Sequence, residues 1–226
     1  MSLPKREKQI LEILQKLPEN EFSLIGGYAV NAYTLPRFSI DCDIVLKDNK
    51  AGKKVSEFLI KEGFFIEHKG NTGSYKGNFI RMKKENDVKI NFDLLIGEVL
   101  DRITGISIPA DLIFKNSKVR GITGKASPIK AKARVVEPEL LFLMKCITGR
   151  KSDIRDTLML SAIKLDKDKI KELNKEIKVP KEKIIEIKGK INEKQFKNAL
   201  EGVYGRIEEK MFENTKKKLE RILDGL

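Results

Sequence analysis

The 226 residues predict an α/β (α+β) fold, a mixed sheet with flanking helices followed by a helical C-terminal domain. Three observations carry that expectation. Short apolar runs at 22–25, 38–46, 79–83 and 88–96, bounded by Gly, Asn and Pro, have the length of strands. Residues 50–62 space Val55, Phe58 and Leu59 for one helical face and lead through Gly63 into an apolar stretch at 64–67, an αβ crossover that makes a mixed sheet. From Asp166 onward the chain is Lys- and Glu-rich with helical punctuation.

Taken in order, residues 4–17 carry Ile10, Leu11, Ile13, Leu14 and Leu17 at helical spacing, with basic residues opposite, and predict an outer helix. Residues 22–25 read as a strand broken by Gly26 and Gly27, and 28–33 as one or two helical turns. The segment 38–46 reads as the next strand. A turn at 69–78 and another at 85–87 make 79–95 a hairpin whose second strand carries Asp93. His68 stands alone at a strand end and is read as a surface residue. Residues 111–114 and 118–122 are short strand candidates.

Gly121 to Ser127 invites a phosphate-loop reading, which fails because the glycine spacing is too short and Ser127 does not follow Lys125 directly. Lys125, Lys130, Lys132 and Arg134 read instead as a basic strand-and-turn surface that could meet RNA backbone. Lys69, Lys76, Arg81, Lys83 and Lys84 either extend a basic surface or solvate an outer face. Pro138 sits at the first position of a helix, so the expected domains are 1–136 and 137–226. Asp166 and Asn192 are N-cap candidates, Pro180 marks a further start, and a last helix is expected near 208–223.

Apolar residues at 40% and charged residues at 35% describe a globular protein, and no apolar run is long enough to cross a bilayer. The opening Met-Ser-Leu-Pro-Lys-Arg has no secretory apolar segment, so a cytoplasmic location is expected. Cys42 and Cys146 lie in apolar company and read as reduced core residues. With one histidine and no cysteine cluster, zinc has no ligand set, and any metal here is oxygen-bound. An excess of 46 Lys and Arg over 33 Asp and Glu gives a net charge of +13, which favours a polyanionic partner such as RNA or nucleoside triphosphates. The same Lys- and Glu-rich composition is also found in thermophile proteins.

The chemistry concentrates in residues 22–46. A glycine pair lets backbone N–H groups approach a phosphate, and a helix start adds partial positive charge. Asp41 and Asp43 then point to one face of a strand, about 7 Å apart, while Cys42 and Ile44 face the core. Two such carboxylates can share hard cations of the magnesium kind. Arg37 and Ser39 fall on the same side by alternation, so that face opens on a cleft. Asp93 offers a third carboxylate.

Gly26-Gly27-x-Ala29, Arg37-x-Ser39-x-Asp41-x-Asp43 and the strand aspartate Asp93 together resemble the DNA polymerase beta-type nucleotidyltransferases. Within them the wording is most similar to the AbiEii-like nucleotidyltransferases of abortive-infection and type IV toxin–antitoxin systems. The resemblance covers residues 24–46 and extends to Asp93 and 137–160.

It implies a nucleotidyltransferase-type sheet and metal-dependent transfer of a nucleotidyl group from a nucleoside triphosphate to an acceptor hydroxyl, on RNA such as tRNA. Asp41, Asp43 and Asp93 would be both catalytic and metal-binding, holding two magnesium ions, for which manganese could substitute. Gly26, Gly27, Arg37, Ser39, Lys145 and Arg150 would bind the nucleotide, with Asp153 and Asp156 orienting the basic groups. The helical domain would close one side of the nucleotide cleft. The sequence departs from the family pattern where Gly149 ends the helix after Lys145, with Ser152 or Asp153 expected to cap the next one. An antitoxin protein would be a further partner. Transfer to a small molecule or a protein side chain, or a non-catalytic RNA- or partner-binding protein that retains the fold, are the alternatives.

Overall fold

The structure is a computed structural model and describes residues 2–70 and 77–226. The chain divides into two compact units. The first comprises Met1–Ala32, Pro36–Leu100 and Ser107–Glu137, and the second Tyr33–Leu35, Asp101–Ile106 and Pro138–Leu226.

The first unit opens with α1 (Leu3–Lys16), which has a proline in its first turn. Ile10, Leu11 and Leu14 are wholly buried, as their spacing predicts. Then come β1 (Phe22–Leu24), α2 (Gly26–Val30), β2 (Asp41–Leu46), α3 (Asn49–Lys61), β3 (Phe65–Gly70), β4 (Asn78–Glu85) and β5 (Lys89–Ile96). Asp48 caps α3 by accepting the Ala51 N–H at 2.8 Å. A small hairpin of β6 (Glu98–Leu100) and β7 (Ser107–Pro109), α4 (Ala110–Lys115), β8 (Ser117–Thr123) and β9 (Lys130–Val136) complete it.

Seven strands form one mixed sheet in the order β3-β4-β5-β2-β1-β9-β8. β2 pairs with β5, and β1 with β9, in parallel, and the other pairs are antiparallel. One face of its centre is apolar: Cys42, Ile44, Leu46, Phe92, Leu94, Ile80 and Met82 are all buried. Residues two apart on a strand share a face, so the intervening side chains of β2, β5 and β4 must lie on the other.

The second unit contains α5 (Pro138–Thr148), α6 (Lys151–Ala162), α7 (Lys167–Ile177), α8 (Lys181–Ile191), α9 (Phe196–Tyr204) and α10 (Glu209–Leu223). Helix α5 is buried nearly all round, through Leu140, Leu141, Phe142, Leu143, Cys146 and Ile147. Asp166 caps α7 through the N–H groups of Asp168 and Lys169. No helix among the described residues is long and apolar enough to cross a membrane.

Four local expectations are corrected. Residues 111–114 are helical, because Pro109 stands at the N-cap of α4 and Asp111 in its first turn meets the positive end of the helix dipole. A short apolar run does not distinguish the two states by period. The strand expected from residue 38 begins at Asp41, and Ile40 is 64% exposed, so the apparent alternation reaches back past the paired residues. Asn192 ends α8 instead of starting a helix. Arg150, not Ser152 or Asp153, holds the N-cap position of α6. Most of the turn expected at 69–78, including Lys76, lies outside the described residues.

Candidate active site

Register builds the site. β2 and β5 align Asp41 with Asn91 and Asp43 with Asp93, and β5 and β4 align Asn91 with Lys83 and Asp93 with Arg81. One row across three strands is therefore Asp43, Asp93, Arg81, and the next is Asp41, Asn91, Lys83. Adjacent strands lie about 4.8 Å apart, which places three carboxylates, an amide and two cations on the polar face of the sheet.

These groups are bonded to one another. The Asn91 amide donates to Asp41 Oδ1 at 2.7 Å. Arg81 grips Asp93 with a fork, Nε to Oδ1 at 2.8 Å and Nη2 to Oδ2 at 2.6 Å. That bidentate geometry is the strongest form of a charge-assisted bond. Asp93 is 7% exposed, and the Arg81 guanidinium also lies over the Phe79 ring, 5.8 Å from its centroid. The hydrogen bond to Asp93, with the charges of Asp93 and Asp41 behind it, holds the Arg81 pKa above its ordinary value. On the opposite face, burial and then the charges of Asp43, Asp93 and Asp41 push the Cys42 thiol well up. It stays protonated and is a core residue, not a nucleophile.

The glycine pair touches this row. Gly26 has φ +66, and a Cβ there would stand 2.0 Å from Asp43 Oδ2. At Gly27 a Cβ would stand 2.4 Å from Ser39 Oγ and 3.0 Å from Arg37 Nη2. Only residues without a side chain let the backbone come this close to the carboxylate and to the 37–39 segment. The pair opens α2 instead of preceding it. Arg37 and Ser39 reach it from irregular backbone, not from a strand face. Asn31 fixes that segment by donating to the Arg37 carbonyl at 2.8 Å and accepting the Arg37 N–H at 3.0 Å. Arg37 is buried and donates to the Phe38 carbonyl at 3.0 Å.

The first unit thus brings together Asp41, Asp43, Asp93, Gly26, Gly27, Arg37 and Ser39. Lys145 and Arg150 belong to the second unit. Lys145 is 7% exposed, with Nζ 2.7 Å from Asp153 Oδ1 and 2.9 Å from Asp156 Oδ2. Asp156 also accepts the Tyr204 hydroxyl at 2.6 Å, and Asp153 accepts that of Thr148 at 2.8 Å. Burial alone would lower the Lys145 pKa, but the charges of Asp156 and Asp153 outweigh it and raise it. Arg150 is exposed.

The oxygen-only donor set of Asp41 and Asp43, on one open strand face, fits a hard divalent cation. Asp93 is the poorer ligand as arranged, because each of its oxygens already accepts a hydrogen bond from the Arg81 guanidinium. Among the described residues no three His, Cys, Asp or Glu side chains converge as a metal cage would require.

Asn91 and Arg81 are site residues that the sequence reading missed. Asn91 left a signal, as the polar residue two before Asp93 in an apolar strand, while Arg81 was visible only as a basic surface residue. Lys83 is bridged to Glu67 and Glu85 at 2.7 and 2.6 Å, and Lys84 donates to the Glu62 carbonyl at 2.7 Å. With Arg81 on Asp93, three of the five candidate basic residues are engaged locally.

The segment rejected as a phosphate loop does cradle an anion. The N–H groups of Lys125, Ala126 and Ser127 donate to the Glu7 carboxylate at 2.7, 2.8 and 2.9 Å.

The sequence matches no protein-family model and no curated protein. Among solved structures, a proposed nucleotidyltransferase of H. pylori is 13% identical, with a TM-score of 0.47, over 99% of this chain and 94% of its own. JHP933 of Helicobacter pylori is 17% identical, with a TM-score of 0.46, over 98% of this chain and 90% of its own.

Proposed function

We propose that this protein is a nucleotidyltransferase that moves a nucleotidyl group from a nucleoside triphosphate to an acceptor hydroxyl. The observation that carries the reading is the contact between two separate sequence motifs. The Gly26 backbone abuts Asp43, the Gly27 backbone abuts Ser39 and Arg37, and Asp41 and Asp43 share the polar sheet face.

In the reaction the acceptor oxygen attacks the α-phosphorus, the bond from that phosphorus to the bridging oxygen breaks, pyrophosphate leaves, and the hydroxyl proton passes to solvent. Asp41 and Asp43 would hold magnesium, which when bound supplies positive charge to the triphosphate and acidifies the hydroxyl. Asn91 keeps Asp41 oriented by its 2.7 Å hydrogen bond. Gly26 and Gly27, at the start of α2, would offer backbone N–H groups to phosphate oxygens, and Arg37, held by Asn31, adds fixed positive charge beside them.

The acceptor class is proposed from net charge together with the family resemblance of the motifs. A net +13 favours a polyanion, and RNA such as tRNA is the acceptor proposed, in a toxin-like role opposed by an antitoxin protein. The test is transfer of label from each of the four α-labelled triphosphates, with magnesium, into bulk tRNA and into protein, with Asp43→Asn alongside. Label in tRNA that falls at least about 100-fold in the variant supports the reading. Label in protein alone would replace RNA with a protein side chain, and equal labelling by the variant would remove Asp43 from the mechanism.

A further inference from the structure

We infer that the site takes one divalent cation, at Asp41 and Asp43, and that Arg81 is a built-in cation that keeps a second ion off Asp93. This rests on the nucleotidyltransferase reading of Asp41 and Asp43, and it changes the number of ions from the two that the sequence resemblance implies.

Three observations converge on Arg81. Cross-strand register places it directly beside Asp93, which in turn stands beside Asp43. Its position is therefore fixed by the backbone of two strands and not by a flexible loop. The fork puts one hydrogen bond on each oxygen of Asp93, at 2.8 and 2.6 Å, so an ion that approached Asp93 would have to share the carboxylate with a guanidinium and meet its charge. The Phe79 ring lies against the guanidinium at 5.8 Å, which adds a second restraint on it.

Charge agrees with this count. Arg81 sets a fixed positive charge directly against Asp93, beside Asp43, which lowers the demand for a second divalent ion there. The position beside Asp41 on β5, where a fourth carboxylate would favour a second ion, is the neutral amide of Asn91. A second ion that took Asp93 as a ligand would share that carboxylate with the guanidinium, which does not lose its proton in proteins. Arg81 is a positioning residue for Asp93, and its side chain, 34% exposed, stays near the open face as fixed positive charge.

The experiment is titration of the full chain with manganese, which is counted by electron paramagnetic resonance of the free ion, for the wild type, Arg81→Gln, Asp93→Asn and Asp43→Asn. The wild type is expected to bind one ion. Arg81→Gln, with Asp93 released, is expected to gain a second site or to tighten a weak one at least about tenfold. Asp93→Asn is expected to keep the single wild-type site with affinity changed less than about threefold, and this arm decides the question even if Arg81→Gln does not fold. Asp43→Asn is expected to lose the site.

Two ions on the wild type, with the second lost in Asp93→Asn, would overturn the inference while leaving the nucleotidyltransferase reading in place. Binding of no manganese by any of the four would overturn both. Arg81→Lys separates charge from the fork, and a second ion in that variant would show that the bidentate geometry is what excludes it.

Discussion

Gly26 shows how much of the site rests on one missing side chain. Its φ of +66 is open to glycine at little cost, and its α-carbon faces the Asp43 carboxylate so closely that a Cβ would stand 2.0 Å from Oδ2. Gly26→Ala should lower the melting temperature by several degrees and weaken manganese binding at Asp43 at least about tenfold, because both the φ strain and the displaced carboxylate count against it. Gly105→Ala is the control. Its φ is +73 but nothing lies within 4 Å of the added Cβ, so it should cost stability, about 1 kcal/mol, without touching metal affinity. If the two variants weaken metal binding equally, the close approach at Gly26 is not what shapes the site.

At the scale of the element, α1 is fastened to the β8–β9 connection by Glu7. The carboxylate is 1% exposed and takes three N–H groups from residues 125–127. Gly124 makes the approach possible, since a Cβ there would stand 2.5 Å from the Glu7 carboxyl carbon. On the same side Lys125 Nζ lies 5.7 Å over the Phe38 ring, so the fastened loop leans on the segment that carries Arg37 and Ser39. Glu7→Ala strands three backbone donors and should cost about 3 kcal/mol in urea unfolding. Amide exchange at 125–127 should speed up in that variant before exchange in the central strands does. Unchanged protection there would mean that the loop is held by other bonds.

For the whole molecule, the two units draw on different physics. The first is organised by a sheet with one dry face and one charged face, the second by helices around a buried ion triad. In that triad Lys145 faces Asp153 and Asp156, of which Asp156 is fully buried. Lys145→Met would leave two carboxylates without their cation and should destabilise the protein by about 3–5 kcal/mol. The pH dependence has a definite sign. Burial works against the charged lysine, but Asp156 and Asp153 raise its folded-state pKa above the ordinary value. Its contribution is then fully present below about pH 10.4, the unfolded value, and is lost as pH rises through the folded one. Melting temperatures taken from pH 8 to 12 should therefore fall more for the wild type than for Lys145→Met, and the two curves should converge at the alkaline end. Parallel curves would mean that the lysine is not the group being titrated.

Alternation and spacing alone put Asp41 and Asp43 on one face and Cys42 and Ile44 on the other, marked the hairpin that carries Asp93, and outlined most of the helices. These are local properties, set by a period of two or 3.6 and by caps and breakers within a few residues. Tertiary structure decided the rest. The row Asp43, Asp93, Arg81 exists only because of the register between three strands, and a slip of one residue would send Arg81 to the apolar face. The Glu7 cradle joins residues 118 positions apart, and Lys145 is turned inward by carboxylates from the next helix. Each depends on which distant donor or charge a buried group meets once the chain has packed, and burial makes that meeting obligatory without any local pattern announcing it.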